Sequence, residues 1–374
     1  METDMANRER IIKDFVKLVS IDSPSFGERE MADVLFKELS DLGFTVTEDE
    51  AGKVYGGNAG NLYGYLPGEI DGPPILLSAH MDTVEPALSK KAVVHPDGTI
   101  TSDGTTVLGA DDLSGVVAIL EAVRTVKEQN LPHRSIEILF PIAEEVYLKG
   151  SDVFDYSKIK AKEAYVLDLS GEIGTAALKA PTLVSIEAVF TGKAAHAGFA
   201  PETGIHAIKA AAEGITSIQM GRIDPETTVN IGLIEGGLAR NIVPEKCVLK
   251  GEVRSLRHEK ALEETEKIRK AFQEAADKTK ATLTFDTSFG CLSYETLESD
   301  PVVQRYEKAC QELSIKTNYI ETFGGSDNNN FVRNNITGIV MACGMNSVHS
   351  TKEYTHIDDL DSCTEIVIKL ITSV

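Results

Sequence analysis

Apolar residues recur at helical spacing near the start of the chain, at Ile11, Ile12, Phe15, Val16 and Val19. Ser25 and Glu28 then stand at the spacing of a capping box, ahead of a second amphipathic stretch that ends near Gly43. Short apolar runs follow, bounded by Gly and Pro: PPILLSAH, SIEILFPIA and AYVLDL. Runs of this length, rich in Ile, Leu and Val, predict strands buried on both faces. Between the first two, LSGVVAILEAVRTVKEQN predicts a helix of about four turns. Strand–helix alternation of this kind predicts an α/β layered sheet.

The middle of the chain has another texture. VSIEAVFTG alternates apolar and polar residues, as a half-exposed strand does. TGIHAIKAAAEGITSI reads as a helix, TVNIGLIEGG and CVLKGEVRSL as strands, HEKALEETEKIRKAFQEAADKTK as a charged helix and ATLTFDTS as a last strand. The order β-α-β-β-α-β predicts a small ferredoxin-like domain, over about 179–289. Beyond it the first texture returns, so the expected architecture is one α/β domain, residues 1–178 and 290–374, with the ferredoxin-like domain inserted.

Charge and composition then exclude whole classes of partner. The 374 residues carry 58 Asp and Glu against 37 Lys and Arg, a net charge of −21. Such a surface repels phosphate backbones and anionic lipid, so neither nucleic acid nor a membrane is expected as partner. No apolar run approaches the roughly 18 residues of a membrane span. Five scattered cysteines without a CxxC pair predict free thiols, hence a reducing, cytoplasmic setting.

Each buried-strand run ends in acids or histidine: His80-Met81-Asp82 after ILLSA, Glu144-Glu145 after IEILFPIA, and Asp168 within YVLDL. Asp111 and Asp112 precede the long helix. In open α/β sheets ligands sit at the carboxyl ends of strands, so these side chains are placed to converge. Taken singly, each has a blander reading: an Asp before a helix is usually a cap, with Asp112 the better candidate, and a Glu-Glu pair is usually a solvated face. Taken together, several carboxylates at one crevice require cations, and His with Asp and Glu is a zinc ligand set.

The motifs SAHMDTV, GADDLSGVVAIL, PIAEEVYLKGS, VLDLSG, TGKAAHAG, ARNIVPEKC, GGSDNNNF and VHSTKEYTHIDDL resemble, in order, those of the M20 metallopeptidases, and among these the branch of peptidase T and aminotripeptidase-like proteins. The resemblance implies two zinc ions per subunit, with cobalt or manganese also suited. It makes Asp111 the bridging carboxylate, His80 and Asp168 the rest of one site, and Glu145 and His349 the rest of the other. It makes Glu144 the general base and Asp82 the acid that orients His80. Because residues leaving a strand alternate in direction, Glu145 is expected at the metal and Glu144 over the open site.

The inserted domain resembles the family's lid and dimerisation domain, implying a homodimer in which His196 reaches the neighbouring site. Asn241 and Arg254 match substrate-carboxylate contacts, and Gly325 and Ser326 match a loop that meets substrate backbone. His356 is read as a cap or surface residue. His95, His133, His206 and His258 are assigned to structure or surface, with His206 inside a helix. Tyr147 replaces the small residue many members carry, narrowing the approach. Asp168 in place of Glu favours the aminopeptidase branches. The expected activity is hydrolysis of short peptides, tripeptides foremost, from the free N-terminus, and the alternative is a deacylase or carboxypeptidase acting on N-acyl amino acids.

Overall fold

Four strands, Arg134–Phe140, Ile70–Ser78, Glu163–Leu169 and Thr337–Ala342, run side by side and parallel at the centre of a nine-stranded sheet. The computed structural model describes residues 5–373. Antiparallel Leu62–Leu66 and Thr45–Glu48 extend one edge, and antiparallel Thr175–Ala180 flanks the other. The strands are buried on both faces. Ile75, Leu77, Ile136, Ile138, Tyr165, Leu167, Ile339 and Met341 join one core cluster. The alternate residues Leu76, Leu139, Ala164, Val166 and Val340 join another. This is why these strands show unbroken apolar runs.

Helices Arg8–Val19, Arg29–Asp41, Ala110–Glu128, Pro301–Glu312 and Ile357–Thr372 supply the larger cluster. Ala110–Glu128 is buried almost all round because it lies against the sheet while packing on Ile357–Thr372 and Arg8–Val19. At Gly115 the helix approaches the strand so closely that a Cβ would lie 2.5 Å from the carbonyl oxygen of Leu167. The glycine therefore sets how near the helix start comes to the ends of the strands.

The chain divides into two compact units, one taking in the chain up to Lys179, Glu295–Thr322 and Ser326 onward. The second comprises Ala180–Tyr294 and Phe323–Gly325, against the 179–289 read from the sequence. Its last strand, Thr282–Cys291, runs further than its apolar pattern, and Arg254 Nη1 binds the carbonyl of Phe323 at 2.8 Å. Its antiparallel sheet has the order Gly221–Asp224, Thr227–Gly236, Lys246–Ser255, Thr182–Thr191, Thr282–Cys291. Setting aside the added edge strand Gly221–Asp224, this is the ferredoxin-like order. Helices Ala207–Thr216 and His258–Thr279 cover one face through Ala207, Ala211, Ile268 and Phe272.

Candidate metal centre

The acids and histidines of the first unit converge beyond the carboxyl ends of the parallel strands. His80 lies just past Ile70–Ser78, Glu144 and Glu145 past Arg134–Phe140, Asp168 inside Glu163–Leu169, and Asp111 in the turn that opens Ala110–Glu128. His349 comes from the segment after Thr337–Ala342.

Asp111 joins two groups of donor atoms. Its Oδ1 is 3.0 Å from His80 Nε2, and Asp168 Oδ1 is 3.9 Å from the same nitrogen. Its Oδ2 is 3.3 Å from His349 Nε2, which lies 3.0 Å from Glu145 Oε2. His80–Asp111–Asp168 and Asp111–Glu145–His349 are each close enough to surround one ion. Glu144 belongs to neither, and its Oε2 stands 4.0 Å from His80 Nε2.

The electrostatics call for cations. Burial, then the charge of Asp168, pushes the proton affinity of Glu144 well up. Burial and Asp111 do the same to Asp168, and burial raises Glu145. Burial also pulls Asp111 up, but hydrogen bonds from His349 and His80 outweigh it and hold the group below the usual carboxylate range. His349 is pushed up to about 10 by its bonds to Asp111 and Glu145. Glu145 Oε1 is buried without a hydrogen-bond partner, and each group mixes imidazole nitrogen with carboxylate oxygen. The residues present fit divalent metal.

Backbone donors fix the surrounding acids. Asp82 Oδ1 accepts the N–H of Glu144 at 2.9 Å, and Oδ2 accepts that of Glu145 at 3.2 Å. The two glutamates leave a turn rather than a pleated strand, for Ala143 has φ +50°. Their divergence comes from that turn and from Asp82. His80 Nδ1 meets the carbonyl oxygen of Asp82 at 2.9 Å, closer than its carboxylate at 3.4 Å. Both the carbonyl and the carboxylate of Asp82 thus face the Nδ1 side of the ring.

Two expected caps do not form. Ser25 Oγ donates to Asp82 Oδ2 at 2.6 Å, and Glu28 Oε1 accepts the N–H groups of Phe26 and Ala143 at 2.8 and 3.0 Å. Phe26 has φ +69°, so no helix starts there and the next begins at Arg29. Burial, then the Asp82 charge, raises Glu28 to about 7. Asp112 accepts the N–H of His80 at 3.1 Å instead of capping its helix. Its residue and Asp111 have non-helical backbone.

The sequence assigns no role at the site to Ser25, Glu28 or Glu353. Glu353 is buried and receives the N–H groups of Gly109 and Asp111 at 2.8 and 2.9 Å. Burial, offset by these bonds, raises it to about 7. Its one signal is its place in HSTKEY.

In the second unit His196 is exposed, stacks on Phe199 at 4.2 Å between centroids, and accepts the N–H groups of Gly198 and Phe199. Asn241 lies beside it, its carbonyl receiving Ala197 N–H at 3.0 Å. Arg254 is held by Glu252, at 2.8 Å from Nε. Gly325 belongs to this unit, whereas Ser326 precedes helix Asp327–Arg333 of the first and donates its N–H to Asn329 Oδ1 at 3.0 Å. His356 caps Ile357–Thr372, and His206 caps Ala207–Thr216 rather than lying inside it. Tyr147 is half exposed with φ +72°.

The Peptidase dimerisation domain family matches residues 180–280, and Peptidase family M28 matches 61–203. The uncharacterised protein YqjE of Bacillus subtilis is 37% identical, covering 98% of this chain and 99% of its own. The crystal structure of aminopeptidase PepT from Bacillus cereus is 38% identical with a TM-score of 0.91, over 98% of this chain and 99% of that one. A tripeptidase structure from Staphylococcus aureus is 33% identical with a TM-score of 0.95, over 98% of both chains. Likeness of this extent, reaching from end to end and through both units, makes the chain an enzyme of the M20 metallopeptidase family, in its peptidase T group.

Proposed function

We propose that the protein is a di-metal aminopeptidase that removes the N-terminal residue from short peptides, tripeptides foremost. The observation that carries this reading is the division of Asp111 between two histidine-containing groups, with Glu144 beside them and outside both. His80, Asp111 and Asp168 would hold one ion, and Asp111, Glu145 and His349 the other. Zinc suits both sets, as do cobalt and manganese. Bound ions would supply Lewis acidity for a scissile carbonyl and for a nearby water.

The chain's own residues do the rest. Glu144 takes a proton from the attacking water and delivers it to the departing amine. Burial raises its proton affinity, the direction a base working near neutral pH requires. Asp82 keeps that base in place through its backbone N–H. His196, Asn241, Arg254 and Gly325 of the second unit, with Ser326 of the first, would contact the substrate. Arg254 would exchange Glu252 for a substrate carboxylate, a bidentate partner it already favours.

A homodimer is part of the reading, supported by the dimerisation-domain match and by Phe199 and Leu238, each 87% exposed. Light scattering on the purified protein measures it. A cytoplasmic setting is also part of the reading, supported by the five buried, free cysteines. Among the described residues no helix is long and apolar enough to cross a membrane.

The deciding assay offers the metal-loaded enzyme a free tripeptide and its N-acetylated form. Cleavage of the free peptide at its first bond is expected. Cleavage of the blocked form alone would replace this reading with that of a deacylase or carboxypeptidase on N-acyl amino acids.

A further inference from the structure

The turn that presents Asp111 has little of its own to hold it. Gly109 sits at φ +80°, and Asp111 and Asp112 have non-helical φ and ψ, so the first helical bond here is Leu113 N–H to Gly109 oxygen at 3.2 Å. The N–H groups of Gly109 and Asp111 instead end on the two oxygens of one carboxylate, Oε2 and Oε1 of Glu353. Glu353 is itself fixed. Its N–H bonds Ser350 oxygen at 3.1 Å, and Tyr354 pairs with Asn346 in both directions at 2.9 and 3.0 Å. His349 lies inside the same Asn346–Tyr354 loop.

We infer that Glu353 is a positioning residue that makes the two metal groups fill together. It sets the shared carboxylate of Asp111 by clamping the turn that carries it, from the loop that also presents His349. This rests on the two-metal reading above. A ligand confined to one group, such as His349, governs one ion. A residue that sets Asp111 governs both, because each group takes one oxygen from it.

The experiment titrates Co2+ into chelator-treated, full-length protein and follows the visible absorption of the bound ion. Wild-type protein is expected to take up two ions. Glu353→Gln offers one oxygen and one NH2 to two N–H donors, so one donor faces another. Both uptake steps should weaken, by about 10–100-fold, the usual cost of losing a group behind metal ligands. His349→Ala should weaken one step and spare the other. Should metal-free Glu353→Gln lose its far-ultraviolet circular dichroism, Glu353→Asp takes its place, since the shorter acid cannot span both donors and should again weaken both steps. Loss of a single step in the Glu353 variants, or two steps at wild-type affinity, would overturn the inference and leave the two-metal reading standing. A wild-type protein that takes up only one ion would overturn both.

Discussion

Glu144→Gln separates the roles assigned to adjacent acids. Glutamine fills the same buried volume and keeps the backbone N–H bond to Asp82 at 2.9 Å, so neither packing nor the turn should change. What is lost is a proton acceptor, worth about 10²–10⁴ in rate, or roughly 2.7–5.4 kcal/mol of barrier. Metal uptake should not change, because Glu144 stands outside both donor groups. Stability should move the other way in chelated protein. The folded-state proton affinity of Glu144 is raised above that of the unfolded chain, so its ionised form lowers stability at neutral pH. Glutamine removes that penalty, and the variant should unfold at higher urea than wild type at pH 7. The gap should close below about pH 4, where the carboxyl is protonated in both states. The assays are kcat on a free tripeptide, metal content, and urea unfolding with chelator at the two pH values. A kcat within tenfold of wild type, or loss of a metal ion along with activity, would refute the assignment of Glu144 as base.

Three other perturbations test the scaffold. Gly115→Ala places a methyl 2.5 Å from the Leu167 carbonyl oxygen and 2.7 Å from Asp112 Oδ1, so overpacking should cost about 1–3 kcal/mol; an unchanged urea midpoint would contradict it. Ser25→Ala removes the 2.6 Å bond to Asp82 Oδ2, and kcat should fall about 3–10-fold, near 1 kcal/mol, at constant metal content; kcat equal to wild type would show that the bond does not reach the base. Lys90 is buried, bonds Ile21 oxygen at 2.9 Å, and is pushed down to about 8 by burial. Between that value and the unfolded lysine pKa of about 10.4 the unfolded chain holds the extra proton, so wild-type stability should rise with pH relative to Lys90→Met; a difference that stays flat from pH 7 to 9.5 would count against it.

The parallel strands and the residues at their ends were legible because burial on both faces writes an unbroken apolar run, and the side chains just beyond such a run in an open sheet face the ligand. His80, Glu144, Glu145 and Asp168 were found on that ground. Glu28 and Asp112 were misread for one physical reason. A side chain that accepts a helix N–H and one that accepts a distant N–H look identical in sequence, since every residue but proline carries that donor. Only a fold that turns left-handed at Phe26, a residue with no sequence signal for it, shows that Ser25 serves Asp82 and not a helix end.

That distinction sorts the buried acids into two kinds. Asp82, Glu28, Glu353 and Glu137 all have oxygens that receive main-chain N–H groups; Glu137 takes those of Lys160 and Ala161. Backbone dipoles meet part of their charge with no ion involved, although burial still raises Glu28 and Glu353. Both oxygens of Asp111 and Oε2 of Glu145 face imidazoles, while Glu144 feels the charge of Asp168, and Asp168 that of Asp111, in a buried space. Four acids so arranged are satisfied by protons or by cations. At neutral pH divalent cations would meet that demand and, on the reading proposed above, would leave Glu144 free to act as base, so the partners of the buried acids, more than their number, point to a metal-dependent hydrolase.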